Sequence, residues 1–175
     1  MFEVGSFLLC EDGDAMKKNS PQDEAMIRLY EETKDSFYKL SKSINNFPTK
    51  WGLSFNALML LDYLYVHNDH AEASEAADEL GIPRQTMTAL LDGLEKKGVL
   101  ARFPHPNDRR RKVIRLTPEG FEKVGRLKCE NLATEIAALK QMGERDIRML
   151  FKLAMKFDAC LEQASRAYNG PVTTF

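Results

Sequence analysis

The residues with the most pronounced chemistry lie between Arg84 and Arg115. Nine Lys/Arg stand there against three Asp/Glu, a balance of +6 in a chain whose total is −1, so the remainder sums to −7. Two groups carry the pattern. Arg84, Gln85, Thr86 and Thr88 open one segment, and all four bring donors suited to phosphate oxygens or base edges. Asp108, Arg109, Arg110, Arg111 and Lys112 form a second, strongly basic run. A basic island in an otherwise acidic chain is the electrostatic footprint of a nucleic-acid face. The bland alternative is a solvated charged surface. The groove-binding reading is preferred because the charges fall on a helix and on a hairpin beside it, a shape that can enter a groove.

The elements that must hold these groups follow from periodicity. Met87, Leu90, Leu91 and Leu94 recur at i, i+3, i+4 and i+7, the stripe of an amphipathic helix. Gly98 stops it, with Lys96 and Lys97 where the helix dipole favours cations. Val99 then falls at C″ against Leu94 at C3, the contact of a Schellman stop. The stretches VLARF and KVIRLT read as strands, with Val99, Ala101 and Phe103, then Val113 and Leu116, as the apolar positions. PHPNDRRR between them reads as a turn. Thr117 caps the next helix and Pro118 takes its first position. Upstream, Glu72 to Leu80 makes a short helix, and Gly81-Ile82-Pro83 turns into the Arg84 helix. That arrangement is a helix-turn-helix, whose second helix presents its N-terminal residues to base edges.

The flanks are helical too. Ser20-Pro21-Gln22-Asp23 starts a helix carrying Met26, Tyr30, Phe37, Leu40 and Ile44 on one side and ending near Phe47-Pro48. Ser54 caps a second, with Leu53 and Leu58 spaced for a hydrophobic staple. Leu58, Met59, Leu60, Leu61, Tyr63 and Leu64 surround that helix, so it is expected to be central and buried. After Thr117 a long helix runs through Phe121, Val124, Leu127, Leu132, Ile136 and Leu139 and breaks near Met142-Gly143. A last helix carries Ile147, Leu150, Phe151, Ala154, Phe157 and Leu161, more apolar surface than a small domain needs. Terminal helices with such a surplus are expected to meet across a two-fold axis.

Other classes find little support. The 43% hydrophobic content is that of a soluble globular protein. No apolar run approaches the roughly 18 residues of a membrane span, and no signal peptide is evident, so a cytoplasmic location without membrane contact is expected. Nothing pairs a nucleophile with a base and no glycine-rich phosphate loop occurs, so neither enzyme nor cofactor is expected. His67, Asp69 and His70 are metal-ligating types, but a solvated helix end is the stronger reading, and no metal is expected. Asp12-Gly13-Asp14 is too short for a calcium loop. Three cysteines do not make a disulfide framework. Cys129 and Cys160 fall in helices among apolar residues and read as inert, and Cys10 sits beside Glu11 and Asp12, which disfavour a thiolate.

Order and spacing of these elements resemble the multiple antibiotic resistance regulator (MarR) family. The residues that carry the resemblance are Leu94-Glu95-Lys96-Lys97-Gly98, Arg102, Asp108-Arg109-Arg110, and Val113 through Leu116-Thr117-Pro118-Glu119-Gly120. It covers roughly residues 21–168. The resemblance implies a mainly α fold with a winged helix-turn-helix domain over 51–117. Helices in 21–50 and 118–168 would form a dimerisation domain, leaving 1–20 as an extension without counterpart and 169–175 as a tail. It implies a homodimeric transcriptional regulator, a repressor by expectation, that binds a pseudo-palindromic double-stranded DNA operator. Reading helices would enter successive major grooves and wings the minor groove, with Asp108 positioning Arg110. Ala89, where many members carry a basic residue, and Ala76, in place of the usual leucine, depart from the pattern. A small aromatic effector would sit near Phe47, Trp51, Phe55 and Tyr63, which otherwise are core. A redox-sensing regulator of the same fold and a winged helix used only for protein contacts remain the alternatives.

Overall fold

The computed structural model describes residues 20–68, 71–105 and 108–168. Two compact units divide between Phe55 and Asn56. The first holds α1 (Pro21–Asn46) and a 3-10 turn (Phe47–Trp51). Ser20 caps α1 through a reciprocal box: its Oγ accepts from the Asp23 N–H at 3.2 Å, and the Asp23 carboxylate accepts from the Ser20 N–H at 3.0 Å. The 3-10 turn ends at Gly52, whose φ of +69° suits a residue without a Cβ. Pro48 is buried, yet no residue of α1 is.

The second unit follows with α2 (Phe55–Val66), β1 (Ala71–Glu72), α3 (Ala73–Glu79), α4 (Arg84–Lys96), β2 (Leu100–His105), β3 (Asp108–Leu116), α5 (Pro118–Met142) and α6 (Glu144–Ala167). Its core gathers Leu60, Leu61 and Leu64 of α2, Met87, Leu91 and Leu94 of α4, Leu100, Val113, Ile114 and Leu116 of the sheet, and Val124 of α5. Each such side chain contributes about 1.5–3 kcal/mol by leaving water. Helix α2 is buried over most of its circumference, as expected, with Ala57, Leu58, Leu60, Leu61 and Leu64 inside. Met59 and Asp62 are exposed, and Asp62 pairs with Lys128 of α5 at 2.6 Å.

Two helices stop in the same way. Gly98 (φ +69°) donates to the Glu95 carbonyl at 2.9 Å and Val99 to the Leu94 carbonyl at 3.0 Å, which is the Schellman pattern the sequence suggests. Gly81 (φ +62°) repeats it: Ile82 donates to the Ala77 carbonyl at 2.9 Å and Gly81 to that of Asp78 at 3.4 Å. Ile82 is buried, so the stop also anchors the turn between α3 and α4.

The sheet corrects three expectations. Its order is β1-β3-β2, antiparallel throughout, and β1 was not foreseen: Ala71 pairs with Ile114 and Glu72 with Val113, so the helix expected from Glu72 begins at Ala73. The inward position of β2 is Leu100, not Phe103, which is exposed with the Arg115 guanidinium 5.7 Å from its ring centroid. Cross-strand partners share a face: Leu100 lies opposite the buried Leu116, and Phe103 stays exposed although its partner Val113 is buried. Finally, Asp108–Arg111 lie in β3 rather than in a turn. Register runs regularly from Leu100↔Leu116 to Pro104↔Lys112 and then jumps to His105↔Asp108. Arg109, Arg110 and Arg111 are the residues skipped by that jump, an enlarged bulge that lets β3 bend.

Thr117 joins the end of the hairpin to the stop of α4. Its hydroxyl donates to the Gly98 carbonyl at 2.8 Å and accepts from the Gly120 N–H at 2.9 Å, while its N–H donates to the Val99 carbonyl at 3.0 Å. A Cβ on Gly120 would stand 1.9 Å from the Val99 oxygen, so the backbones meet only because position 120 is glycine.

Candidate nucleic-acid interface

The proposed reading residues begin α4. Arg84, Gln85, Thr86 and Thr88 are exposed, whereas Met87 between them is 1% exposed and fixes the helix against the core. Pro83 at the N-cap gives no side-chain cap and the first turn carries no acid, so the positive end of the dipole is left uncovered. The Arg84 guanidinium lies 3.6 Å from Asp78, both largely exposed, a pairing that solvent makes weak. Thr88 Oγ1 donates to the Arg84 carbonyl at 3.0 Å. Ala89 is exposed on the same helix.

On the wing, Asp108, Arg111 and Lys112 are exposed, and Lys112 faces Pro104 across the hairpin. The side chains of Arg109 and Arg110 lie outside the described residues, and with them the expected Asp108–Arg110 contact. Arg111 has another engagement. Its Nε donates to the Glu72 carboxylate at 2.6 Å and its Nη2 lies 3.6 Å from Glu75. Glu72 is 7% exposed, and its other oxygen stands 3.6 Å from the His105 Nε2. One buried carboxylate on β1 thus joins β2 and β3.

Sequence reasoning did not find Glu72, although a signal was present. It occupies the N-cap of α3, where Ser, Thr, Asp or Asn is favoured, and it makes no cap bond there. Arg102 had stood out only by resemblance. The structure shows it clamping α4 to β2: its guanidinium meets Asp92 at 2.5 Å and Glu95 at 3.5 Å, and its N–H donates to Glu95 at 3.1 Å. Asn68, also unremarked, accepts the Leu116 N–H at 2.6 Å.

The aromatic residues proposed for an effector are distributed over both units. In the first, Phe47 and Trp51 meet edge to face with centroids 5.3 Å apart, and the Lys50 ammonium lies 4.0 Å from the Trp51 ring. Phe55 is half-buried. In the second, the Tyr63 and His67 rings meet tilted with centroids 4.5 Å apart, and burial, helped by the charges of Glu79 and Glu75, raises the Tyr63 phenol above the ordinary tyrosine value. Of the suspected ligand types beside it, Asp69 and His70 lie outside the described residues. Among the described residues no group of three or more His, Cys, Asp or Glu is placed to hold a metal. Nor is any described helix long and apolar enough to cross a membrane. Cys129 and Cys160 are free and exposed, contrary to their expected shelter among apolar neighbours. Both lie on long helices, and α6, which carries Cys160, has no buried residue on any side. Cys10 and the rest of the N-terminal extension lie outside the described residues.

The winged region has known relatives. The family model described as "MarR family" matches residues 51–111. The transcriptional repressor YetL of Bacillus subtilis is 27% identical over 123 residues, covering 67% of this chain and 74% of YetL. The regulator PapX of Escherichia coli is 33% identical over 90 residues, 51% of this chain and 55% of PapX. The chain thus spans between about half and three-quarters of these two curated relatives. In fold it is similar to Staphylococcus aureus MepR in its complex with DNA, with a TM-score of 0.63 over 76% of this chain and 97% of that one, at 21% identity. Residues 51–111 thus match the MarR family model, transcriptional regulators are similar to the chain over part of their length, and the likeness to MepR shows a shared fold.

Proposed function

We propose that this chain is a homodimeric repressor that binds a pseudo-palindromic double-stranded DNA site and is released by a small aromatic molecule. The observation that carries the DNA reading is the pairing of an exposed, acid-free N-terminal turn on α4 with a basic wing. Arg84, Gln85, Thr86 and Thr88 read base edges in the major groove, and the wing residues Arg109, Arg110 and Lys112 follow the backbone and minor groove. Asp108 holds Arg110 toward that groove. The DNA complex of MepR supports this mode by likeness of fold.

Dimerisation is assigned to 21–50 and 118–168, and reading to 51–117. Helix α1 and helix α6 contain no buried residue, although both carry rows of large apolar side chains. A dimer holding two reading helices about 34 Å apart spans one DNA turn. Such a regulator works in the cytoplasm, beside its operator.

The test is selection of bound duplexes from a random pool, followed by retardation at graded salt. A two-fold site of about ten base-pair spacing is expected, and affinity should fall roughly 10³–10⁵-fold between 50 and 200 mM salt. Failure to retain any duplex would favour a protein-interaction module. Trp51 is the single tryptophan, so its fluorescence reports directly on effector entry. Aromatic acids and phenols should quench it and release the selected duplex together. Release by peroxide, lost on substitution of Cys129 or Cys160, would instead favour redox sensing.

A further inference from the structure

In the basic wing, the charge of Arg111 is already engaged. Arg111 is the last of three consecutive arginines skipped by the β2–β3 register, and its Nε rests on the buried Glu72 carboxylate at 2.6 Å. Glu75 of α3 stands 3.6 Å from its Nη2, and His105 of β2 stands 3.6 Å from the second Glu72 oxygen. A carboxylate in this position bears a cost. Buried charge needs a partner, and Glu72 forgoes the cap of α3, which Ser or Asp would provide. The geometry therefore spends a cap position on restraining one wing cation.

Resting on the DNA reading above, we propose that Glu72 is a specificity-determining residue: it withholds Arg111 from the phosphate backbone and fixes the start of the bulge. The physical consequence concerns discrimination more than affinity. Phosphate contacts add binding energy on any sequence, whereas base contacts separate the right site from wrong ones. An unrestrained Arg111 would add a phosphate contact on every duplex. Glu72 removes that sequence-blind contribution, and its anchoring of β3 to β1 keeps the backbone of Arg109 and Arg110 at a fixed place on the wing.

The experiment compares wild type, E72Q, R111Q and E72Q/R111Q on the selected duplex and on a scrambled one, with salt varied. The double variant leaves an uncharged Gln pair, so comparing it with E72Q isolates Arg111 without stranding a buried charge. Thermal melts check that each variant is folded. E72Q is expected to bind the scrambled duplex roughly three- to ten-fold more tightly at 100 mM salt, and to steepen the salt slope by about one per monomer. Preference for the selected duplex should shrink correspondingly. E72Q/R111Q should return the scrambled affinity and the slope to wild-type values. A purely structural Glu72 would lower the melting temperature without steepening the slope, and that result overturns the inference. So does a fall of scrambled-duplex affinity in R111Q alone by as much as loss of a phosphate-contacting arginine entails. Wild-type protein that binds no duplex at any salt would instead remove the DNA reading beneath it.

Discussion

The winged core and the long outer helices satisfy their apolar residues in opposite ways. In the core, Leu60, Leu64, Met87, Leu100, Ile114 and Val124 are almost wholly removed from water within one chain. On α6, Met149, Leu150, Phe151, Leu153, Met155, Phe157 and Leu161 stay exposed, Met155 at 66% and Phe157 at 61%. α1 repeats the pattern with Tyr30, Phe37, Tyr38 and Leu40. At about 1.5–3 kcal/mol per large apolar side chain, α6 alone leaves on the order of 10 kcal/mol of burial unrealised. The core is closed within one chain, whereas α1 and α6 leave their apolar rows uncovered, as the proposed dimer requires. An obligate interface of upward of about 2,000 Å² would suit them.

The sharpest way to break this comparison is a charge on the exposed row. Phe157→Glu should leave the winged core folded yet disperse the dimer, with more than about 2 kcal/mol lost per protomer as for an interface hot spot. Light scattering at micromolar concentration should then give a monomer mass, and duplex retardation should fall with it. An unchanged dimer mass would show that α6 is not the interface. Leu64→Ala is the counterpart inside the core. It should cost about 2–5 kcal/mol in urea unfolding. The two variants differ in concentration dependence: diluting the dimer lowers the melting temperature of wild type and of Leu64→Ala alike, but not that of monomeric Phe157→Glu.

How much of this was legible in the sequence follows the same division. Helix starts and stops were readable because their signals are local: Ser20-Pro21, Gly81, Gly98, Thr117-Pro118 and Gly143 each act within a few residues. The resemblance gave the motif around Arg102 without its reason, the clamp on Asp92 and Glu95. Strand β1 was not readable, since a two-residue strand exists only because β3, about forty positions later, pairs with it. The same sequence distance hid Glu72 from Arg111. The parity of β2 failed for a different reason. Hydrophobicity marks Phe103 as inward, yet it is exposed while its cross-strand partner Val113 is buried, so alternation alone does not say how far a layer covers each face.

A smaller effect separates the two kinds of helix start. Thr117 caps α5 while its hydroxyl also donates to the Gly98 carbonyl, so one atom ties the wing, the α4 stop and α5 together. Thr117→Ala should cost about 1–2 kcal/mol, and Thr117→Ser should recover most of it because the hydroxyl remains. Equal losses in both would point to the methyl group rather than the cap.

The smallest effect belongs to the cap of α1, which touches only its own turn. Hydrogen bonds from the Ser20 hydroxyl and from the Ser20 N–H hold the Asp23 carboxyl below its ordinary value. A carboxylate whose folded value is depressed contributes stability that is present above its unfolded value, near 4, and is lost as pH falls through the folded one. At neutral pH the box is therefore closed. On acidification below about pH 4 its Asp23 half should open, while the bond from the Asp23 N–H to the Ser20 oxygen has no titrating group and persists. Because Asp23 is fully exposed, the change should appear as local fraying of the first turn of α1, not as global unfolding. Amide exchange at Ser20 should quicken through that pH range more than exchange at Asp23. Asp23→Asn keeps an acceptor but removes the charge, so its exchange should lose the extra pH dependence beyond that intrinsic to amides. If the variant and wild type respond to acid identically, the Asp23 half of the box does not hold the start of α1.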